Sequence, residues 1–274
     1  MKIISNSKAK LNGFQLKILA LVLMLIDHIH YIFDFTGSIP LLFKQVGRLS
    51  APIFLFIFIQ GFIKTKNREK FFTRIYIVYF LMGIVYCGLN IYGGARSDGF
   101  IPQNAIFSNF IILFILFSGI EEFKNGKLLK GVIFISFPIV YDKVFSFFIS
   151  SIGYKSALAI WTYAIFPAYS TIMDGGIFYI LTGLLLYIFV ENRRLQVLSY
   201  VLFTLGIYIV YYSVMIPNFN MITMFNSYYQ WMSVFAAPFM LLYNGERGKD
   251  IKSFFYVFYP LHIYILYAIS MFIQ

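Results

Sequence analysis

An aspartate and a histidine stand side by side inside the first long apolar stretch, in Leu-Met-Leu-Ile-Asp27-His28-Ile-His30. Apolar residues run from Phe14 to Phe33, broken only by Gln15, Lys17 and this cluster. Of the eleven acidic residues, Asp27 is the one expected well inside a span. An ionisable group at that depth costs roughly 2.5–3.5 kcal/mol on insertion scales, so such groups mark substrate paths, proton relays or reaction centres. Lys17 precedes His28 by eleven residues. At 100° per residue the two fall within about 20° of one helix face, roughly 16 Å apart along the axis. A cation at the membrane edge thus shares a stripe with a histidine deep inside. This stripe is the candidate active site, with His28 and Asp27 as its catalytic residues.

The remaining reactive groups are fewer. His30 points to a different side from His28, and helix packing is its simpler reading. His262 follows Tyr259-Pro260-Leu in the last apolar stretch. It either packs or, turned by the kink at Pro260, lines a cavity. Arg48 opens the second stretch in Gly47-Arg48-Leu-Ser50-Ala-Pro52. Its long guanidinium either reaches inward to Asp27 or snorkels to the interface. Lys64-Thr-Lys66-Asn-Arg68-Glu-Lys70, with Arg74 beyond, is a dense basic loop. It could hold the phosphates of a nucleotide-bearing donor, or serve only as a topology signal and anionic-lipid contact. The one cysteine, Cys87, excludes an internal disulfide and reads as packing. There is no Walker loop, G-x-G-x-x-G, G-x-S-x-G elbow or Cys/His metal spacing, so no metal is expected and most soluble-enzyme chemistries are excluded.

The elements that position these groups follow from composition. The chain is 60% hydrophobic, 21% aromatic and 12% charged, with mean hydropathy +0.79. That is an all-α polytopic transmembrane helical bundle, a multi-pass protein of the cell membrane. The net charge of +11 does not imply nucleic acid, because the basic residues cluster between spans. Nine spans are expected: 14–33, 46–63, 71–91, 104–120, 131–148, 176–190, 195–214, 228–243 and 254–272. With the N-terminus cytoplasmic, seventeen Lys and Arg lie inside, and only Lys44, Arg48, Arg96, Lys143 and Lys155 lie outside. A tenth span through 157–171 is the rival, with both termini inside. The basic N-terminal flank lacks a cleavage site, so the first span is expected to be retained. Pro52, Pro138, Pro238 and Pro260 fall within spans and free backbone carbonyls there. The whole chain, 1–274, reads as one integral-membrane domain without repeats.

Four ordered motifs carry a family resemblance. Gln15-Leu16-Lys17 through Asp27-His28 resembles the opening of the TraX family, named for the conjugative pilin acetylase. Gly47-Arg48-Leu-Ser-Ala-Pro52-Ile-Phe54 to Lys64-Thr65 resembles its second signature, and Gln103-Asn104-Ala-Ile-Phe107-Ser a third. Phe258-Tyr259-Pro260-Leu-His262 resembles its C-terminal one, while residues from about 121 to 240 match nothing. TraX-like proteins are similar in turn to acyltransferase-3 membrane enzymes, whose first helix carries a basic residue, ten intervening residues and a histidine. Lys17 and His28 have that spacing. The wider group commonly has about ten spans.

The resemblance implies an acyltransferase, acetyl foremost, using cytoplasmic acetyl-CoA or another acyl-CoA as co-substrate. The acceptor would be an amine or hydroxyl at the outer face: a peptide N-terminus, a surface glycan or a lipid headgroup. On this reading His28 deprotonates the acceptor as it attacks the thioester, and an acyl-histidine is the less favoured variant. Lys17, Lys64, Lys66, Arg68 and Arg74 would bind or guide the acyl-CoA. Arg48 and Asn104 would orient the site, and Tyr259 and His262 would line the acceptor side. Two other classes compete: a proton-coupled transporter or flippase using Asp27 and His28 as a relay, and a non-catalytic membrane assembly factor. The absence of matching halves with distributed polar groups favours the enzyme.

Overall fold

A computed structural model of the chain describes residues 10–103, 106–153, 164–168, 175–250 and 252–273. They form helices α1 (Gly13–Phe33), α2 (Leu41–Gly47), α3 (Ser50–Lys64), α4 (Arg68–Ile91), α5 (Ile106–Lys124), α6 (Leu128–Ile152) and α7 (Gly176–Ile188). There follow α8 (Arg193–Leu205), α9 (Tyr211–Met215), α10 (Met221–Asn226), α11 (Ala237–Leu241) and α12 (Lys252–Phe272). Extended pairing among the described residues is limited to an isolated bridge between Leu11 and Tyr243. Among the described residues, seven helices are long and apolar enough to cross a membrane: Gly13–Thr36, Leu41–Lys64, Arg68–Ile91, Ile106–Lys124, Leu128–Ile152, Arg193–Met215 and Phe254–Phe272. The protein is an all-α, multi-pass membrane protein.

Local sequence explains where these helices begin and break. Asn12 caps α1 through the Gln15 amide, and the Gln15 side chain returns the bond to the Asn12 amide. Asn67 caps α4 and Asn192 caps α8 in the same way, each satisfying first-turn N–H groups. The second span is two helices in series. Pro52 has no N–H for the Arg48 carbonyl, and the turn tightens there to bonds from Arg48 N to Gln45 O and from Leu49 N to Val46 O. The sixth long helix is continuous from Arg193 to Met215 but carries a π-turn at Gly206–Val210.

Three expectations change. The stretch 228–243 is a 3-10 helix, Tyr229–Ala236, followed by the five-residue α11. Pro238 suits a helix's first turn but cannot continue one, so the stretch splits. The stretch 176–190 forms only the 13-residue α7, about 20 Å long. Asp142 and Lys143 lie inside α6, so Asp27 is not alone among acids within a span, and Lys143 is not simply an outer loop charge. Most of the rival tenth span, 157–171, falls outside the described residues.

Contacts group the chain into two units. The first comprises Met1–Gly61, Leu185–Phe255 and Ile265–Ser270. In it Ser50 Oγ donates to Ala20 O at 3.0 Å, tying the start of α3 to α1. The second comprises Phe62–Leu184, Tyr256–Tyr264 and Met271–Gln274. There α5 is buried almost along its whole length. It packs on α6 where Gly119 faces Ile135 and Gly131 faces the Phe123 ring, small residues that let the backbones close up. The outer flank of α6, including Leu129, Val132, Val140, Val144 and Phe147, is exposed and apolar, as a lipid-facing surface must be.

Candidate functional site

The polar centre of the first unit is built on α1 and the α2–α3 break. Arg48 Nη2 donates to Asp27 Oδ1. Its Nε donates to Lys44 O at 3.2 Å, and its Nη1 approaches Gln230 Oε1 at 3.5 Å. The pair is largely shielded, with 17% of the Asp27 side chain and 22% of the Arg48 side chain exposed. Gly47 makes this approach possible. A Cβ there would come within 3.0 Å of the Asp27 side chain, so only glycine admits the carboxylate. The structure thus brings Asp27 and Arg48 together, and the guanidinium fork is fixed at all three nitrogens.

His28 lies next to Asp27 and is half-buried, with its ring 6.2 Å from that of Tyr31. Lys17 is half-buried on the same helix, roughly 16 Å away along the axis. His30 is the more deeply buried histidine, at 3% exposure. Its Nε2 sits 3.5 Å from the Asp34 carboxylate one turn on, and its Nδ1 is shielded without a hydrogen-bond partner. His30 therefore follows the packing interpretation, while His28 keeps access.

The second unit holds the other candidates. Lys64, Lys66 and Arg74 are exposed. Arg68 is occupied: its guanidinium lies 4.4 Å over the Phe62 ring and 3.5 Å from Glu121. Tyr259 and His262 are both buried. His262 Nδ1 bonds the Phe258 carbonyl at 2.8 Å, its ring stacks on Phe258 at 5.0 Å, and the Tyr259 ring meets it edge-on at 5.8 Å. Tyr259 also packs edge-on against Phe107 at 4.9 Å. These contacts make a packed aromatic group within α12 and α5. Asn104 lies outside the described residues.

Sequence reasoning passed over one group. Arg193 places its Cζ 4.5 Å over the Phe56 ring and 5.2 Å over that of Tyr243, deep enough that its Nη1 is shielded with no hydrogen-bond partner. Gln60 and Gln196 are also buried with unpaired amide atoms. The available signal was Gln60 itself, a lone amide in an otherwise apolar run from Ile53 to Ile63.

A model of the TraX protein family matches residues 12–270, nearly the whole chain and every group described above save the N-terminal flank. The chain belongs to the TraX family. Among curated proteins, the "Probable fimbrial assembly protein FimC, serogroup H1" of Dichelobacter nodosus is 23% identical over 275 residues, covering 96% of this chain and 97% of that one. No solved structure matches the chain. The match runs through residues 121–240, beyond the four motifs that carry the resemblance.

Proposed function

We propose that this TraX-family protein is a membrane-embedded acyltransferase, acetyl foremost, that moves an acyl group from cytoplasmic acyl-CoA to an amine or hydroxyl at the outer face. One observation carries the reading: His28 stays accessible beside a carboxylate that Arg48 has already claimed. Asp27 and Arg48 act as a clamp that fixes α1 against α2. The neutral His28 imidazole accepts the acceptor's proton as its N or O attacks the thioester carbonyl. The tetrahedral intermediate then collapses, the C–S bond breaks, and the CoA thiolate leaves and takes up a proton. Lys17, on the same stripe, draws the anionic donor toward that face. The exposed Lys64, Lys66 and Arg74 add to the attracting field, while Arg68 is committed to Phe62 and Glu121.

The relative's name supports a second reading, a non-catalytic assembly factor for surface fibres. Radiolabelled acetyl-CoA separates the two. Membranes containing the wild-type protein should release free CoA and pass label to an endogenous peptide, glycan or lipid. Neither CoA release nor label transfer, from a protein that is correctly inserted, would leave the assembly role standing alone.

A further inference from the structure

Arg193 is a cation held in an unusual way. It opens α8, lies over Phe56 of α3 and Tyr243, and has no acidic partner among the described residues. The two rings meet edge to face at 5.6 Å and 88°, so they form a rigid corner. Tyr243 is fixed by backbone pairing: Leu11 N bonds Leu242 O, and Asn244 N bonds Leu11 O. Aromatic faces stabilise a guanidinium, but they supply no acceptor for its N–H groups. Nη1 is left shielded and bare. A buried donor without an acceptor is costly, and such atoms in a finished fold call for a specific explanation.

A second bare donor lies on the same face. Gln60 follows Phe56 by four residues on α3, which places it one turn along the side that Arg193 covers. Gln60 is 6% exposed, and its Nε2 has no partner. On α8, Gln196 follows Arg193 by three residues. Its Nε2 donates to Leu186 O at 2.6 Å and holds α7 to α8, while its Oε1 is unpaired. Arg193 and Gln196 of α8 and Gln60 of α3 therefore offer a guanidinium N–H, one amide oxygen and an amide N–H. Lys17 adds a further cation to α1, which begins beside the strap that holds Tyr243.

We propose that Arg193 and Gln60 bind a phosphate oxygen of a phosphorylated ligand, with Gln196 Oε1 accepting from a hydroxyl or amide N–H of the same molecule. A planar guanidinium with an unpaired Nη1 suits a phosphate better than a compact ammonium would. On the acyltransferase reading the ligand is acyl-CoA, and this site, not the exposed 64–74 loop, holds its diphosphate. A phospholipid headgroup offers the same chemistry from another source. With the N-terminus inside and α7 crossing as the sixth span, Arg193 falls on the cytoplasmic side, where either ligand is present.

The test uses full-length protein in nanodiscs of phosphatidylcholine alone, or with phosphatidylglycerol, titrated with acetyl-CoA and with inorganic diphosphate. R193Q should weaken acetyl-CoA binding about tenfold or more, as loss of a charge-assisted hydrogen bond requires. Gln60→Leu should weaken it by a smaller factor. Diphosphate should compete with acetyl-CoA in wild type and fail to bind R193Q. R193K, which keeps the charge but loses the planar fork, should recover only part of the affinity and guards against a folding artefact. Suppose wild type does not bind acetyl-CoA, yet diphosphate binding or phosphatidylglycerol-dependent thermal stabilisation is lost in R193Q. The phosphate site would then stand and the acyl-CoA reading would fail. Equal responses of wild type, R193Q and Gln60→Leu to every probe would overturn the proposal.

Discussion

Two arginines of the first unit solve the same problem in opposite ways. Arg48 is closed: its fork is spent on Asp27, the Lys44 carbonyl and Gln230, and Gly47 makes room for the carboxylate. Arg193 is open: two rings hold it, no described acid neutralises it, and one nitrogen is bare. A cation that brings its own acid into the bilayer is a structural bolt. Removing one side leaves an uncompensated charge. A cation that is stacked but unpaired carries its cost until something else arrives. The difference separates groups that build the site from groups that wait for a ligand.

Substitutions should divide along the same line. Arg48→Ala strands the Asp27 carboxylate, and we expect the largest effect there, a loss of about 2–3 kcal/mol in a detergent melt, short of the fully buried limit because the pair is partly exposed. Asp27→Asn should lose less, and the double variant should lose less than the sum, with a coupling of about 1–2 kcal/mol. Strict additivity would mean the ion pair contributes nothing. Gly47→Ala comes next. Its Cβ drives into Asp27, so about 1–3 kcal/mol should be lost, and acyl transfer should fall with it. A silent Gly47→Ala would show that Asp27 does not need the space that glycine leaves. Ser50→Ala removes only the hydrogen bond to Ala20 and should cost about 1 kcal/mol in the same melt. Arg193→Met should be smallest of all. Without ligand, removing an unneutralised cation while keeping bulk should change stability by less than about 1 kcal/mol in either direction. A drop as large as that of Arg48→Ala would erase the contrast.

Much of the scaffold was legible in the sequence because lipid imposes a simple rule: long apolar runs become helices. Residues Gly13–Thr36, Leu41–Lys64 and Arg68–Ile91 follow it closely. The rule failed where proline and local packing decide. Pro238 splits one expected span, and the 228–243 stretch tightens into 3-10 turns. It also misjudged the depth of Asp142 and Lys143, which the expected span 131–148 held near its outer end, since α6 runs on to Ile152. The Lys17–His28 spacing could be read from helical geometry alone, whereas the reach of Arg48 to Asp27 was one of two alternatives until the fold brought them together. Arg193 could not, because as sequence it is one of two basic residues in a loop and reads as a topology charge. Its meaning depends on Phe56 and Tyr243, 137 residues before and 50 after it, which meet it only in the folded unit.

Acetyl transfer by purified protein in proteoliposomes shows whether His28 is the general base. With labelled acetyl-CoA supplied on the side of the basic loops, His28→Ala should lower transfer by at least about 100-fold, the smaller end of what general-base catalysis contributes. Acetyl-CoA affinity and the melting temperature should stay near wild type, and His30→Ala should keep its transfer activity. Transfer by His28→Ala at the wild-type rate would contradict the account, and loss of transfer in His30→Ala alone would place the chemistry on the other face of α1.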